Sequence, residues 1–76
     1  MSWNYRVLRR EADGDVCYAI HEVYYNAEGK PDSCTVTAVY PCGETLDELR
    51  MDFERYAEAF TLPTLDWADL GHARDE

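Results

Sequence analysis

The spacing of apolar residues along the chain changes once, at Pro41-Cys42-Gly43. Before these residues apolar and polar positions alternate, which is typical of strands; after them apolar positions recur every three or four residues, which is typical of a helix. We therefore predict the α+β class. The expected order is β-β-β-α: a three-stranded antiparallel meander, then one amphipathic helix and an apolar C-terminal tail.

Three strands are predicted before the change of spacing. The first covers residues 3–10, and Asp13-Gly14 predicts the hairpin turn that follows it. The second covers residues 16–25, and because both of its faces are largely apolar it should lie in the middle of the sheet. The third covers residues 33–40, after a loop rich in Gly, Pro and Asn. Short connections favour the antiparallel order 1-2-3.

The helix carries its own start and stop signals. Thr45 is the predicted N-cap, and Glu48 completes a Thr-x-x-Glu capping box. Pro63 should end the helix at Leu62 or earlier, because proline has no N–H to donate. Six apolar residues fall within about 100° of arc and predict one stripe that packs on the sheet: Leu46, Leu49, Phe53, Tyr56, Ala57 and Phe60.

The segment after Pro63 is too apolar to be a linker, since burying one leucine is worth about 1.5–3 kcal/mol. We expect Leu65, Trp67 and Leu70 to fold back on the domain, with a short turn started by Asp66. The predicted organisation is one domain over residues 1–70, with a frayed C-terminal tail over residues 71–76.

A single helix can cover only one face of a small sheet, yet the second strand is apolar on both faces. A chain of 76 residues also has a marginal core, which association with another chain would enlarge. Aromatic side chains are enriched at interfaces. The sequence therefore predicts an interaction surface, whose candidate residues on the strands are Trp3, Tyr5, Tyr18, Tyr24, Tyr25 and Tyr40, with His21 as a polar point among them.

The net charge of −9 is unevenly distributed. Residues 1–30 carry four basic and five acidic groups, a net of −1, whereas residues 44–76 carry three basic and ten acidic groups, a net of −7. Direct binding of nucleic acid or of an anionic membrane requires clustered Lys and Arg, so neither is expected. A basic protein is the easier partner. Asp52 and Glu54, on the outer face of the helix, are the candidate contacts for it.

No catalytic, cofactor or metal site is predicted. Cys17 and His21 share one face of a strand but lie about 13 Å apart along it, too far for one metal ion. The other cysteines, Cys34 and Cys42, are dispersed, and no glycine-rich loop could hold a phosphate. No small-molecule substrate is identified. The absence of a disulfide pattern, of a signal peptide and of an apolar run long enough to span a membrane favours the cytoplasm.

Four stretches carry a resemblance to a family of small stand-alone bacterial proteins of unknown function. They are Trp3-Asn4-Tyr5-Arg6-Val7, His21-Glu22-Val23-Tyr24-Tyr25, Gly29-Lys30-Pro31 and Gly43-Glu44-Thr45-Leu46-Asp47-Glu48-Leu49-Arg50. This resemblance implies a fold and no activity. The strand order and the Gly-x-Thr-x-x-Glu-Leu opening of the helix also resemble the N-terminal lobe of HicB-type antitoxins, which binds a small basic RNA-cleaving toxin.

Three functional hypotheses follow. The leading one is a non-enzymatic interaction domain that self-associates or binds a protein partner through the uncovered face of the sheet. The second is an antitoxin-like inhibitor that docks a basic protein through its acidic helix. The third, and weakest, is a small enzyme that uses Cys17 or Cys42 with His21, and it would require a thiol of depressed pKa.

Overall fold

The computed structural model describes residues 2–73, and it confirms the α+β class. The elements in chain order are β1 (Trp3–Ala12), β2 (Asp15–Tyr25), β3 (Pro31–Thr35), α1 (Leu46–Ala57), a 3₁₀ turn (Glu58–Thr61), β4 (Leu65–Asp66), a second 3₁₀ turn (Trp67–Asp69) and β5 (Gly71–Ala73). Within the described residues, no helix is both long and apolar enough to cross a membrane.

The long hairpin of β1 and β2 is the framework of the fold. The two strands pair antiparallel from Trp3 opposite Tyr24 to Ala12 opposite Asp15. Asp13 and Gly14 join them, both with positive φ (53° and 84°). Two successive residues with positive φ match the right-handed twist of the strands, which is why Asp-Gly is favoured at this turn. The predicted hairpin is confirmed.

The sheet is larger and more mixed than the predicted three-stranded meander. Its order is β4-β1-β2-β3-β5. β2 lies in the middle, as predicted, and pairs antiparallel with β1 and β3. The prediction missed β4, which pairs parallel with β1, and β5, which pairs parallel with β3. Both are two- or three-residue strands, too short to show an alternating pattern.

The third strand was predicted too long. β3 ends at Thr35, and residues 36–43 are irregular. The β-branched run Thr35-Val36-Thr37 favours extended backbone, but extended residues become a strand only where a neighbour pairs with them. The segment still follows the sheet for a short distance, because the Val39 N–H donates to the Ile20 carbonyl oxygen at 2.8 Å.

The C-terminal tail folds back on the domain, as predicted, and covers one face of the sheet. We call this the tail face; it carries Leu8, Val23 and Cys34, which form the central core cluster with Leu70. Tyr25, Leu65 and Trp67 pack against the same cluster. Asp66 begins the predicted turn, since its carboxylate accepts from the Ala68 N–H at 3.1 Å.

The strand β5 extends the tail beyond its predicted end. The sequence predicts a frayed segment over residues 71–76, whereas Gly71–Ala73 pair with β3. Residues 74–76 of that predicted segment lie outside the described residues. The side chain of Arg6, buried beside the tail, donates to the Pro63 carbonyl oxygen (2.8 Å) and to the Tyr25 hydroxyl (2.7 Å). These bonds fix the start of the tail against β1.

The helix begins as predicted. The Thr45 hydroxyl accepts from the Glu48 N–H at 3.1 Å, and the Glu48 carboxylate accepts from the N–H of Glu44 at 3.0 Å. The first bond satisfies a backbone donor that has no partner within the helix. The second differs from the predicted capping box, in which Glu48 would accept from the N–H of Thr45 itself. α1 ends at Ala57 and passes into the 3₁₀ turn, which ends before Leu62.

The predicted packing of the helix stripe is wrong for most of its members. Tyr56 is buried and Ala57 is half-buried, but the other four residues are exposed: Leu46, Leu49, Phe53 and Phe60. A helical repeat shows which residues share a face and does not show what that face contacts. The helix is rotated so that a side edge of its stripe, and not its centre, meets the sheet.

Candidate interaction surface

Two sets of contacts fix the rotation of α1. Tyr56 stacks on Tyr5 of β1 with ring centroids 4.1 Å apart and an interplanar angle of 18°. One turn earlier, the Asp52 carboxylate accepts from the N–H of Cys42 in the preceding loop at 3.0 Å. At 3.6 residues per turn these two residues lie next to each other on the helix surface. That side of the helix therefore faces the loop and the sheet.

Next to that side, the helix carries an exposed apolar surface. Its residues, which we call the outer stripe, are Leu46 (70% exposed), Leu49 (37%), Phe53 (58%) and Phe60 (72%). They follow one another at spacings of three, four and seven residues, so they form one continuous line along α1 and the 3₁₀ turn. Leu46, Phe53 and Phe60 are each more than half exposed, whereas most of the surface of Leu49, the member nearest Tyr56, is covered.

An acidic flank runs along one side of the outer stripe. It consists of Asp47, Glu54 and Glu58, together with Arg50, at roughly 40–120° around the helix from Leu46. Arg50 donates to Asp47 at 3.2 Å, and both side chains are well exposed. In the part of the chain that the structure describes, neither Glu54 nor Glu58 forms an ion pair. The flank therefore keeps net negative charge, but Arg50 is its member nearest the outer stripe and Glu58 is the farthest from it.

The structure separates the two acidic residues that the sequence grouped together. Asp52 is half-buried and binds the backbone of the preceding loop, so its carboxylate holds the helix in place. Glu54 is exposed on the acidic flank. Of the two predicted contacts for a basic protein, only Glu54 is exposed.

The predicted aromatic surface is divided between three places. Trp3, Tyr5, Tyr18 and Tyr24 share the face of the sheet that α1 contacts, which we call the helix face. Tyr25 lies on the tail face, where its hydroxyl donates to the Asn4 side-chain oxygen at 2.8 Å. Tyr40 is exposed in the loop before the helix.

The helix face of the sheet is partly open. Trp3 (50% exposed) and Tyr18 (61%) are its most accessible aromatic residues. They lie far apart along the hairpin, because Trp3 is opposite Tyr24 and Tyr18 is opposite Arg9. The Tyr24 hydroxyl donates to Glu22 at 2.8 Å. Charged groups therefore interrupt the aromatic residues on this face.

His21 is a buried, structural residue on the tail face. The ring is buried, and its Nδ1–H donates to the Thr35 carbonyl oxygen at 3.0 Å. Trp67 of the tail lies against it, with ring centroids 5.4 Å apart, and the Arg10 guanidinium lies 4.1 Å from the centroid of the same tryptophan ring. These contacts hold the tail to the sheet, and they bury His21 away from any interface on the helix side.

The three cysteines lie in different environments. Cys17 and Cys42 are exposed and Cys34 is buried, all as free thiols. Burial raises the pKa of the Cys34 thiol, an effect that the charge of Arg10 partly offsets. A raised pKa lowers the fraction of this cysteine in the thiolate form, which is the nucleophilic form. The described residues contain no group of three or more His, Cys, Asp or Glu side chains that could hold a metal ion.

Cys17 and His21 border one shallow cavity of about 360 Å³ between β2 and residues 36–38. Both side chains lie on the tail face, but they are four residues apart along β2 and so about 13 Å apart. The cavity also contains Arg10 and is otherwise lined mainly by aliphatic side chains. The geometry does not bring a thiol and an imidazole into hydrogen-bonding contact.

Sequence reasoning found the outer stripe but assigned it to the core. No local signal could have corrected this, because the stack of Tyr56 on Tyr5 and the bond between Asp52 and Cys42 set the rotation of the helix.

Comparison with protein-family models, with curated proteins and with solved structures finds no significant match to this chain.

Proposed function

We propose that this protein is a non-enzymatic interaction domain that binds a protein partner through the outer stripe of its helix. The observation that supports this most strongly is the rotation of α1. Tyr56 and Asp52 hold the polar and aromatic side of the helix inward, while Leu46, Phe53 and Phe60 are each more than half exposed. The domain keeps its most apolar helical surface outside its own core.

The energetics favour a partner for this surface. Removing one leucine or phenylalanine side chain from water is worth about 1.5–3 kcal/mol. Contiguous apolar surface on a small protein commonly marks a binding site. Large aromatic side chains at the centre of an interface also supply most of its affinity, and Phe53 lies at the middle of the outer stripe.

The open helix face of the sheet is a weaker candidate for the same function. Trp3, Val16 and Tyr18 are exposed there. The register places Arg9, Glu11 and Glu22 among them, on the same face. A partner would have to desolvate those charges to reach the aromatic rings, which costs free energy unless each charge finds a partner. The outer stripe has no charged residue within it.

Site-specific photo-crosslinking tests the proposal. A photoreactive phenylalanine analogue replaces Phe53 on the outer stripe, Tyr18 on the open sheet face or Glu28 in the exposed β2–β3 loop, in cells that make the chain. We expect an adduct of defined mass from position 53 and none from position 28. The adduct from position 53 should disappear when Phe60→Gln is added, because that change removes a second contact on the same line.

Two results would contradict the proposal. One is an adduct from position 18 in the absence of one from position 53, which would assign binding to the sheet face. The other is an adduct from position 53 that survives Phe60→Gln and matches the adduct from position 28, which would indicate random contact. An adduct between two copies of the chain supports an interaction domain whose partner is itself.

A further inference from the structure

We infer that the cavity on the tail face of the sheet binds a small carboxylate with an aliphatic body. This cavity, of about 360 Å³, lies between β2 and residues 36–38. Sites for small molecules commonly enclose about 300–1,000 Å³ and combine apolar walls with a few polar groups. The helix packs on the opposite face of the sheet, so this inference stands apart from the proposed function.

Two features of the chain open the cavity. Ala19 lies in the middle of the cavity's border on β2, and its side chain is too small to fill the space above the strand. β3 ends at Thr35, and the Val39 N–H donates to β2 further along the chain. Residues 36–38 lie between these two points and form a wall beside β2, with the cavity between them.

The walls of the cavity are suited to an aliphatic chain. They include Leu8, Ala19, Val36 and Ala38. Leu8 is buried, but Val36 is 42% exposed and Ala38 is exposed as well. An aliphatic ligand laid against this wall removes apolar surface from water, which is favourable in proportion to the area covered.

Arg10 supplies the charge that selects an anion. It borders the cavity, and its guanidinium is held 4.1 Å from the centroid of the Trp67 ring. Its neighbour Arg9 binds Glu11 and Asp66, whereas Arg10 forms no ion pair within the described residues. A guanidinium carries five N–H donors in one plane and binds a carboxylate through two of them at once. The site thus offers a positioned cation beside an apolar wall.

A single negative charge matches this site better than a phosphate does. His21 also borders the cavity, but its ring is buried and its Nδ1–H donates to the Thr35 carbonyl oxygen. Arg10 is therefore the one permanent cation among the residues that line the cavity. A phosphate would bring a charge of about −1.5 to −2 to a chain of net charge −9, which repels it more strongly than a monocarboxylate.

Titration with octanoate tests the inference. Octanoate is added to the isotopically labelled full chain, and amide chemical shifts report where it binds. Octanol, which has the same chain without the charge, and acetate, which has the charge without the chain, are the matched ligands. We expect octanoate to shift amides of residues 8–10, 17–21 and 36–38 and to leave the helix unchanged. Octanol and acetate should bind at least about tenfold more weakly.

Cys17 provides a second readout in the unmodified chain. It lies directly opposite Arg10 in the sheet and borders the cavity, so a carboxylate bound to Arg10 should shield its thiol. Cys42 is also exposed but lies in the loop before the helix, outside the cavity. Saturating octanoate should slow the alkylation of Cys17 by iodoacetamide severalfold and leave that of Cys42 unchanged. Mass spectrometry of the alkylated chain measures both rates.

Matched variants separate the cavity from general attraction to charge or to apolar surface. Arg10→Gln should weaken octanoate about tenfold, whereas Arg50→Gln on the helix should change its affinity less than about twofold. Val36→Gln should also weaken it, because it makes the wall polar. Val16→Gln is the control for that change, since Val16 is 46% exposed but lies on the other face of β2.

Several results would overturn the inference. Equal binding of octanoate and octanol would mean that the charge of Arg10 has no role, and equal binding of octanoate and acetate would mean that the apolar wall has none. Absence of octanoate binding, or equal losses from each variant and its control, would also refute the site. If Arg10→Gln unfolds the chain, Val36→Gln and the protection of Cys17 decide the question.

Discussion

The two faces of the sheet are covered in different ways. On the tail face, the C-terminal segment buries Leu8, Val23 and Cys34 beneath Leu70 and Trp67. On the helix face, α1 contributes one stacked pair, Tyr5 with Tyr56, and its remaining large apolar side chains are exposed. The short, irregular tail completes the core, whereas the regular amphipathic helix leaves most of its apolar surface exposed.

This difference shows that amphipathicity and burial are separate properties. The apolar residues of the tail follow no regular spacing. The tail packs because Arg6 holds its start and Asp66 holds its turn. The apolar residues of the helix are regularly spaced, but the stack of Tyr56 on Tyr5 and the bond between Asp52 and Cys42 fix its rotation. A few specific contacts therefore decide which apolar residues reach the core.

The largest expected effect lies on the tail face. Leu8 is 1% exposed at the centre of the core cluster. Leu8→Ala should lower the free energy of unfolding by about 2–5 kcal/mol, since it removes buried methyl groups and leaves a cavity. Urea denaturation followed by circular dichroism measures this.

The control for that change is Met51→Ala on the helix, which replaces an exposed apolar side chain. It should stay within about 0.5 kcal/mol of the parent chain. A loss of stability at Met51 equal to the loss at Leu8 would contradict the difference between the two regions.

Much of the fold could be predicted from the sequence. The alternation of the first two strands, the Asp-Gly turn and the Thr45 N-cap are local signals, and all three are present in the structure. The end of β3 at Thr35 was not predictable, because it depends on where a neighbouring strand stops pairing. β4 and β5 depend on contacts with distant strands and leave no local pattern.

The candidate surface could be predicted only in part. The sequence shows that Leu46 and Phe53 share one side of a helix, and that an acidic side lies beside it. It does not show that Tyr56 is the residue that meets the sheet, because that depends on the stack with Tyr5. Neither does it show that Asp52 binds a backbone N–H while Glu54 is free of such a role.

A second expected effect concerns the loop that holds the helix. A Cβ added at Gly43 would lie 2.6 Å from the backbone nitrogen of Leu49 and 2.7 Å from the Cβ of Glu48. Gly43→Ala should therefore push the loop from the helix and cost about 1–3 kcal/mol of stability. Thermal or urea unfolding measures the loss.

The adjacent change Glu44→Ala is the control for Gly43→Ala, because it leaves the backbone N–H that Glu48 accepts from. It should change stability by less than about 0.5 kcal/mol. If Gly43→Ala lowered the free energy of unfolding as little as Glu44→Ala, the loop would not be packed against the helix as described.

A third effect depends on pH. Burial raises the pKa of the Tyr56 phenol, and its interaction with Tyr5 raises the pKa further. A group with a raised pKa in the folded state stabilises the fold below its unfolded pKa, and this contribution is lost as pH rises above it. We expect the free energy of unfolding to fall above pH about 10, by up to about 1.4 kcal/mol per pH unit for this group.

Tyr56→Phe isolates that effect, because it keeps the stacked ring and removes the ionisable hydroxyl. Its stability should fall less steeply than that of the parent between pH 9 and pH 11. Parallel slopes for the two chains would mean that Tyr56 is not buried against the sheet, and the account of the helix rotation would be wrong.

Replacing three residues of the outer stripe should have the smallest effect on stability, because the stripe is not part of the core. The measurement is the free energy of unfolding of the triple variant Leu46→Gln, Phe53→Gln and Phe60→Gln. Glutamine forms helix well, and all three side chains are more than half exposed. We predict a stability within about 1 kcal/mol of the parent chain. A loss of several kcal/mol, the sum expected for a buried leucine and two buried phenylalanines, would show that the stripe is packed inside the fold and would contradict the account.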